Sequence, residues 1–325
     1  SVVCHSLSDV PDIIDTWNEG KVADVEGYYE NAKINRVYVD RVHVKKAFAE
    51  YAAAYNADDP KIKLKIDHTY RVAALCERIA KAAGMCAYDV ELAWLSGMLH
   101  DVGRFEQIKR YNTFSDADSV DHAKFGADLL FKDGLISTFL KGMVKCTGYK
   151  PGALEDRYSS DGVFLYDRLN KSDMEMLELA IRCHNMYRIP QGLNSREQAF
   201  CNVLRDADKV DIFKVNIDTP LEEIYNTTTE ELMKSNITDE VLEAFDEEHC
   251  ILKAIRRTPA DTVIGHVSLA YELVYDESVR ITVEQGYLAK LMHFNSDNEE
   301  TNRKMAVVRE KMDSYVKKRI GEKDA

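Results

Sequence analysis

The chain has 325 residues, 45% of them hydrophobic, and a formal net charge of −13. That is enough apolar sequence for a sizeable core, as one large domain or one domain with a helical annex. The acidic balance argues against non-specific binding of duplex nucleic acid, which needs a basic surface. It does not argue against a phosphorylated small substrate, because a metal centre and a few arginines can reverse the sign locally. No apolar run reaches the roughly 18 residues of a membrane span, and no secretory leader is legible. The seven cysteines are odd in number and form no C-x-x-C pair. They read as reduced, buried thiols of a cytoplasmic protein.

Six prolines, fifteen glycines and few alternating β-branched runs, set against long i, i+3, i+4 patterns, predict an all-α fold. In chain order, residues 1 to about 58 read as an irregular start followed by one helix around 44–55, broken at Asp58-Asp59-Pro60. Gly84 and Gly134 follow the ends of later helices, Ser172-x-x-Glu175 reads as a capping box, and Pro190 closes the helix that carries His184. Thr147–Gly162, rich in Gly, Pro and Ser, is a long loop with the character of a lid or substrate contact. Beyond Pro220 the chain turns polar, and helix resumes from about Glu240. The basic positions between Arg303 and Arg319 alternate with acidic and apolar ones, as on a solvated helix face.

Five stretches place a histidine or aspartate where the helical period puts the apolar face: Ile66-Asp67-His68, Leu99-His100-Asp101, Asp121-His122, Cys183-His184 and Ala207-Asp208. His122 aligns with Phe125, Gly126, Leu129 and Leu130, and His184 with Leu177, Ala180 and Ile181. Asp208 joins the stripe of Phe200, Val203, Leu204 and Ala207. A buried imidazole or carboxylate is costly unless the core satisfies it. A shared cation would satisfy several together, and this donor set suits Zn, Fe, Mn, Co or Ni, as one ion or two. His100 and Asp101 are adjacent, so they diverge unless their helix ends there, and Gly103 is the expected C-terminal cap. Asp206 falls off the stripe and reads as a solvated or ligand-supporting carboxylate, whereas Asp211 lies on the stripe and reads as a group that orients a ligand. His5, His43, His249, His266 and His293 lack such company, and His266 and His293 read as structural residues of apolar helices.

The order His68, Met98-Leu99-His100-Asp101-Val102-Gly103-Arg104, His122, His184 and Arg205-Asp206-Ala207-Asp208-Lys209-Val210-Asp211 resembles the HD-domain superfamily of metal-dependent phosphohydrolases over roughly residues 60–217. The resemblance implies an HD-domain-like helical bundle spanning 60–217, with helical extensions at 1–59 and 218–325. It implies a first metal on His68, His100, Asp101 and Asp208, and a second on His122 and His184 with Asp101 bridging. By the same resemblance Asp101 and Arg104 are the catalytic candidates. Arg104 and Arg188 would contact the substrate, Arg104 as a planar fork on a phosphate. The cyclic-dinucleotide phosphodiesterase branch carries a Lys where Arg104 stands, but Arg188-Ile189-Pro190-Gln191-Gly192-Leu193 only echoes its Gly-Tyr-Pro motif. The Glu typical of nucleotide monophosphatases near position 104 is absent, and so is the Glu-Asp of the ppGpp hydrolases. Two alternatives stand beside it: a di-iron oxygenase of the HD fold, which uses the same ligand order, and a non-catalytic nucleotide-sensing module, whose mark would be the loss of a ligand. The expectation is hydrolysis of a small phosphate ester, without duplex nucleic acid or membrane as partner.

Overall fold

A computed structural model describes residues 39–56, 58–140 and 171–321. The Thr147–Gly162 loop falls outside the described residues. The chain divides into two compact units, residues 1–204 and 205–325, and every described element is helical or a turn, as the composition predicts. Helix α1 spans Arg41–Ala53, α2 Pro60–Ala82, α3 Ala87–Leu99, α4 Val102–Tyr111, α5 His122–Ala127, α6 Ile136–Leu140, α7 Lys171–Cys183 and α8 Ser195–Asp218, the last running through the division between the units.

In the first unit α3 is the central helix. Its residues from Leu92 to Leu99 are all buried, the signature of a helix surrounded by protein. The amphipathic α2 lies against it, burying Val72, Ala73, Cys76, Ile79 and Ala80. Their crossing depends on Gly97, where a Cβ would come within 2.7 Å of the Ala73 Cα. Only a glycine permits that approach, which lets the His68 stretch of α2 lie close to the His100 end of α3. The Asp58-Asp59-Pro60 break is also the start of α2: Pro60 occupies the first turn, and the Asp59 carboxylate accepts from Lys61 N.

The α3 helix ends at His100 as expected, but Gly103 is not its cap. Asp101 breaks the helical path with φ −106° and ψ 15°, and Gly103 sits in the first turn of α4. It packs on α5, where a Cβ would meet Gly126 N at 2.7 Å and Gly126 Cα at 2.9 Å. Gly103 thus works by absence of volume rather than by a left-handed backbone. Gly84 and Gly134 do adopt positive φ, as helix-ending glycines should. Ser172 lies inside α7, which begins at Lys171, so the proposed capping box does not form its start.

The second unit begins within α8 and continues with α9 (Leu221–Tyr225), α10 (Thr229–Lys234), α11 (Asp239–Asp246), α12 (Pro259–Val267), α13 (Asp276–Gln285), α14 (Tyr287–Met292) and α15 (Glu299–Ile320). Helix therefore resumes soon after Pro220, earlier than the polar composition suggested, in short pieces started by caps such as Thr228. Phe245, Ile264, Ile281, Met305 and Met312 are among its core residues. The basic α15 exposes Arg303, Lys317 and Lys318, leaves Lys304, Arg309, Lys311 and Arg319 half-buried, and buries Met305, Val308, Met312 and Val316. No helix among the described residues is long and apolar enough to cross a membrane.

Candidate metal centre

The middle of one helix and the ends of its neighbours deliver five polar side chains of the first unit to one point. His68 comes from the middle of α2, His100 and Asp101 from the α3–α4 junction, His122 from the first residue of α5, and His184 from the residue just after α7. All five are buried, none more than 4% exposed. His68, His100 and Asp101 form one group whose ligand atoms lie within 4.8 Å of one another, and Asp101, His122 and His184 form a second.

Asp101 is split between the two groups. Its Oδ2 lies 3.6 Å from Nε2 of both His68 and His100. Its Oδ1 faces Nε2 of His122 at 3.5 Å and of His184 at 3.8 Å. Each oxygen thus serves one histidine pair, which is how a carboxylate bridges two cations. Oδ1 is buried and accepts no hydrogen bond, a costly state for an anion unless something positive completes it.

Hydrogen bonds fix the imidazole tautomers. Nδ1 of His100 lies 2.8 Å from the Gly97 carbonyl, and Nδ1 of His184 lies 2.7 Å from that of Ile181. Nδ1 of His122 meets the Asp116 carboxylate at 2.7 Å. These oxygens can only accept, so each Nδ1 carries a proton, and in the neutral ring the lone pair is then on Nε2. Yet Nε2 of His122 and His184 approach to 3.0 Å, lone pair against lone pair. Nε2 of His68 and His100 lie 3.3 Å apart. An ion about 2.1 Å from two imidazole nitrogens sets them roughly 3.0 Å apart at a right angle and roughly 3.4 Å at the tetrahedral angle. The donor set and its spacing fit a divalent metal in each half.

A shell of partners fixes these side chains. Asp116 accepts from His122 Nδ1, Gln107 Nε2 and Arg104 Nη1. Burial would raise its pKa, but the His122 contact and Arg104 hold it far below the usual carboxylate range. Burial and the Arg104 charge depress His122 to about 4 against the pull of Asp116, so its ring stays neutral well into mild acid. Asp101 is held well below its ordinary value: burial works the other way but is outweighed by Lys65, the histidines and Arg104. Asp116, Asp121 and His122 form a third close group. Asp121 is already engaged with Asn185 and Lys124, and Asp116 with His122 and Arg104.

Of the other predicted residues, Arg104 sits beside the centre with its side chain 14% exposed. Its Nη1 donates to Gln107 Oε1, the Phe114 carbonyl and Asp116 Oδ1. Its Nε, buried without a hydrogen-bond partner, lies 3.7 Å from Asp101 Oδ1. Arg188 is exposed beside the Tyr187 ring. Asp208 is half-buried in the second-unit part of α8. Asp206, read from the sequence as off the buried stripe, is fully buried. It accepts from Val274 N and Tyr275 N at 3.0 Å and from Ser278 Oγ at 2.7 Å. Helix α8 is covered on more than one face, so leaving one stripe did not mean reaching solvent. Asp211 is buried, as expected. His293 is exposed at the end of α14, whereas His266 is half-buried in α12 with a buried Nδ1 that has no hydrogen-bond partner. Cys86 and Cys250 are only half-buried, unlike Cys76, Cys183 and Cys201.

Sequence reasoning missed two contributors. Lys65 Nζ lies 2.7 Å from Asp101 Oδ2, and its signal was present: it stands three residues before His68, on the same helix face. Asp116 had none, since it comes from the irregular segment between α4 and α5.

Residues 66–216 match the family model of the HD domain. That match is consistent with the HD-domain superfamily. Neither curated proteins nor solved structures give a match. The matched segment contains all five clustered residues and Asp208, and HD domains bind divalent metals. The His/Asp cluster and the HD domain together support a metal-dependent function of the HD type.

Proposed function

We propose that this HD domain is a two-metal phosphohydrolase that cleaves a small phosphate ester, a nucleotide or other phosphorylated metabolite, with water as the nucleophile. The observation that carries the reading is the division of Asp101, one oxygen toward each histidine pair. His68, His100 and Asp101 would hold one ion, and His122, His184 and the other Asp101 oxygen the second. The ions would lower the pKa of a water toward ~7 and neutralise charge on the phosphoryl group.

The remaining work belongs to the chain. The Gly97 and Ile181 carbonyls and Asp116 keep the protons on Nδ1, so the Nε2 lone pairs stay directed inward. Arg104 ties Asp116 to the Phe114 carbonyl. Lys65 and Arg104 place two positive charges on the wall that an anionic substrate would meet.

Elemental analysis of protein purified without added metal, joined to a screen of nucleotides and phosphomonoesters, tests the reading. The expected result is two transition-metal ions per chain and phosphate release. His122→Ala or His184→Ala should lose one ion and keep the other. A single ion unaffected by either substitution would make the centre mononuclear. Dioxygen consumption by iron-loaded protein without phosphate release would replace the hydrolase with an oxygenase.

A further inference from the structure

Two cations flank Asp101, one at each oxygen. Lys65 Nζ is 2.7 Å from Oδ2 and 5.4 Å from the centroid of the Phe114 ring. Arg104 Nε is 3.7 Å from Oδ1, and its Cζ is 5.6 Å from the same ring. They differ in what is left to give. Arg104 is anchored on one side: its Nη1 serves three acceptors within 2.9 Å, Gln107 in α4 and Phe114 and Asp116 in the segment between α4 and α5. The Nε half of the remaining fork is buried and turned toward Asp101 Oδ1, so it faces the carboxylate rather than open space.

Lys65 donates to Asp101 alone among the described residues. An ammonium has three N–H bonds, so two remain, on a side chain that is 16% exposed and stands on the His68 face of α2. The Phe114 ring face favours a cation there. A partly dehydrated ammonium with two spare donors beside a metal-ligating carboxylate is suited to a phosphoryl oxygen.

We infer that Lys65 binds a non-bridging phosphoryl oxygen of the substrate on the His68–His100 side of the centre, and that Arg104 is a positioning residue acting through Asp116 on His122. The inference rests on the phosphohydrolase reading for its substrate but not for its test. The rival role for Lys65 is a counter-ion to Asp101 and nothing more.

The test uses the metal-loaded full chain with inorganic phosphate as the probe. Ions per chain are counted, phosphate affinity is measured by calorimetry, and KM and kcat are measured on whichever phosphoester the wild type cleaves. Lys65→Met should keep both ions and weaken phosphate roughly 10- to 100-fold, the scale for one hydrogen bond to a charged group, with KM rising. Lys65→Arg should recover most of the phosphate affinity, and it stands in if the Met variant does not fold. Unchanged phosphate affinity in metal-replete Lys65→Met protein overturns the assignment. So does loss of metal in step with loss of phosphate, which would make Lys65 a counter-ion only. Lys65-dependent phosphate binding in a wild type that cleaves no phosphoester would keep the anion site and remove the hydrolase reading.

Discussion

Both units bury aspartates, and they do so for opposite ends. In the second unit Asp206 and Asp261 are fully enclosed, and each is saturated by backbone donors. Asp206 receives the N–H groups of Val274 and Tyr275 ahead of α13. Asp261 receives Thr238 N, Arg257 N and Thr258 N at the start of α12. In the first unit Asp101 is also buried, but one oxygen accepts no hydrogen bond and both face imidazole nitrogens. Burial therefore does not separate a structural acid from a ligand. What separates them is whether the neighbours have already satisfied the charge.

The sharpest way to break that contrast is to exchange the consequences. Asp206→Ala leaves two N–H groups and a hydroxyl without their acceptor, which should lower stability by roughly 3 kcal/mol. Chemical denaturation measures this directly, and the ion content of the folded fraction should be unchanged. Asp101→Ala should instead release both ions. If Asp206→Ala costs nothing and Asp101→Ala keeps its metal, the two acids have been assigned the wrong way round.

A finer test stays within the centre. Asp116→Asn keeps the shape at His122 Nδ1 but removes the charge that holds its proton. Metal affinity should fall about 10- to 100-fold on the His122–His184 side and hold on the His68–His100 side. Titration with a chelator that resolves the two ions reads the difference. An equal loss at both positions would mean that Asp116 supports the whole centre and not one half of it.

The sequence was informative where physics is periodic. The helical class, the buried phase of His68, His122 and His184, and the break after His100 all follow from spacing. The resemblance added the order of ligands, and with it Asp208. Periodicity failed for Asp206 because α8 is buried on more than one face, and a one-stripe reading cannot see that. It failed for Gly103 because a glycine that admits a neighbouring helix reads like one that ends a helix; only the approach to Gly126 tells them apart. Asp116 was invisible because it reaches His122 from a segment with no repeat.

The smallest expected effect concerns a histidine that lacks the company of a centre. His266 is packed in α12 against the Tyr225 ring, with a buried Nδ1 that has no partner. Burial, reinforced by Arg256 and Lys253, lowers its pKa from 6.5 to about 3. The folded state therefore resists a proton that the unfolded chain takes readily. Its contribution to stability is complete above about pH 6.5 and is lost as pH falls toward 3, because the unfolded state binds more protons across that window. His266→Leu removes the titration and the orphaned nitrogen together. The melting temperature of the variant should fall less steeply than that of the wild type between pH 6 and pH 4, by about 2–4 °C for each kcal/mol of linkage removed. Parallel profiles would show that His266 is protonated as easily in the folded protein as in the unfolded chain, and that the burial of its Nδ1 does not govern its charge.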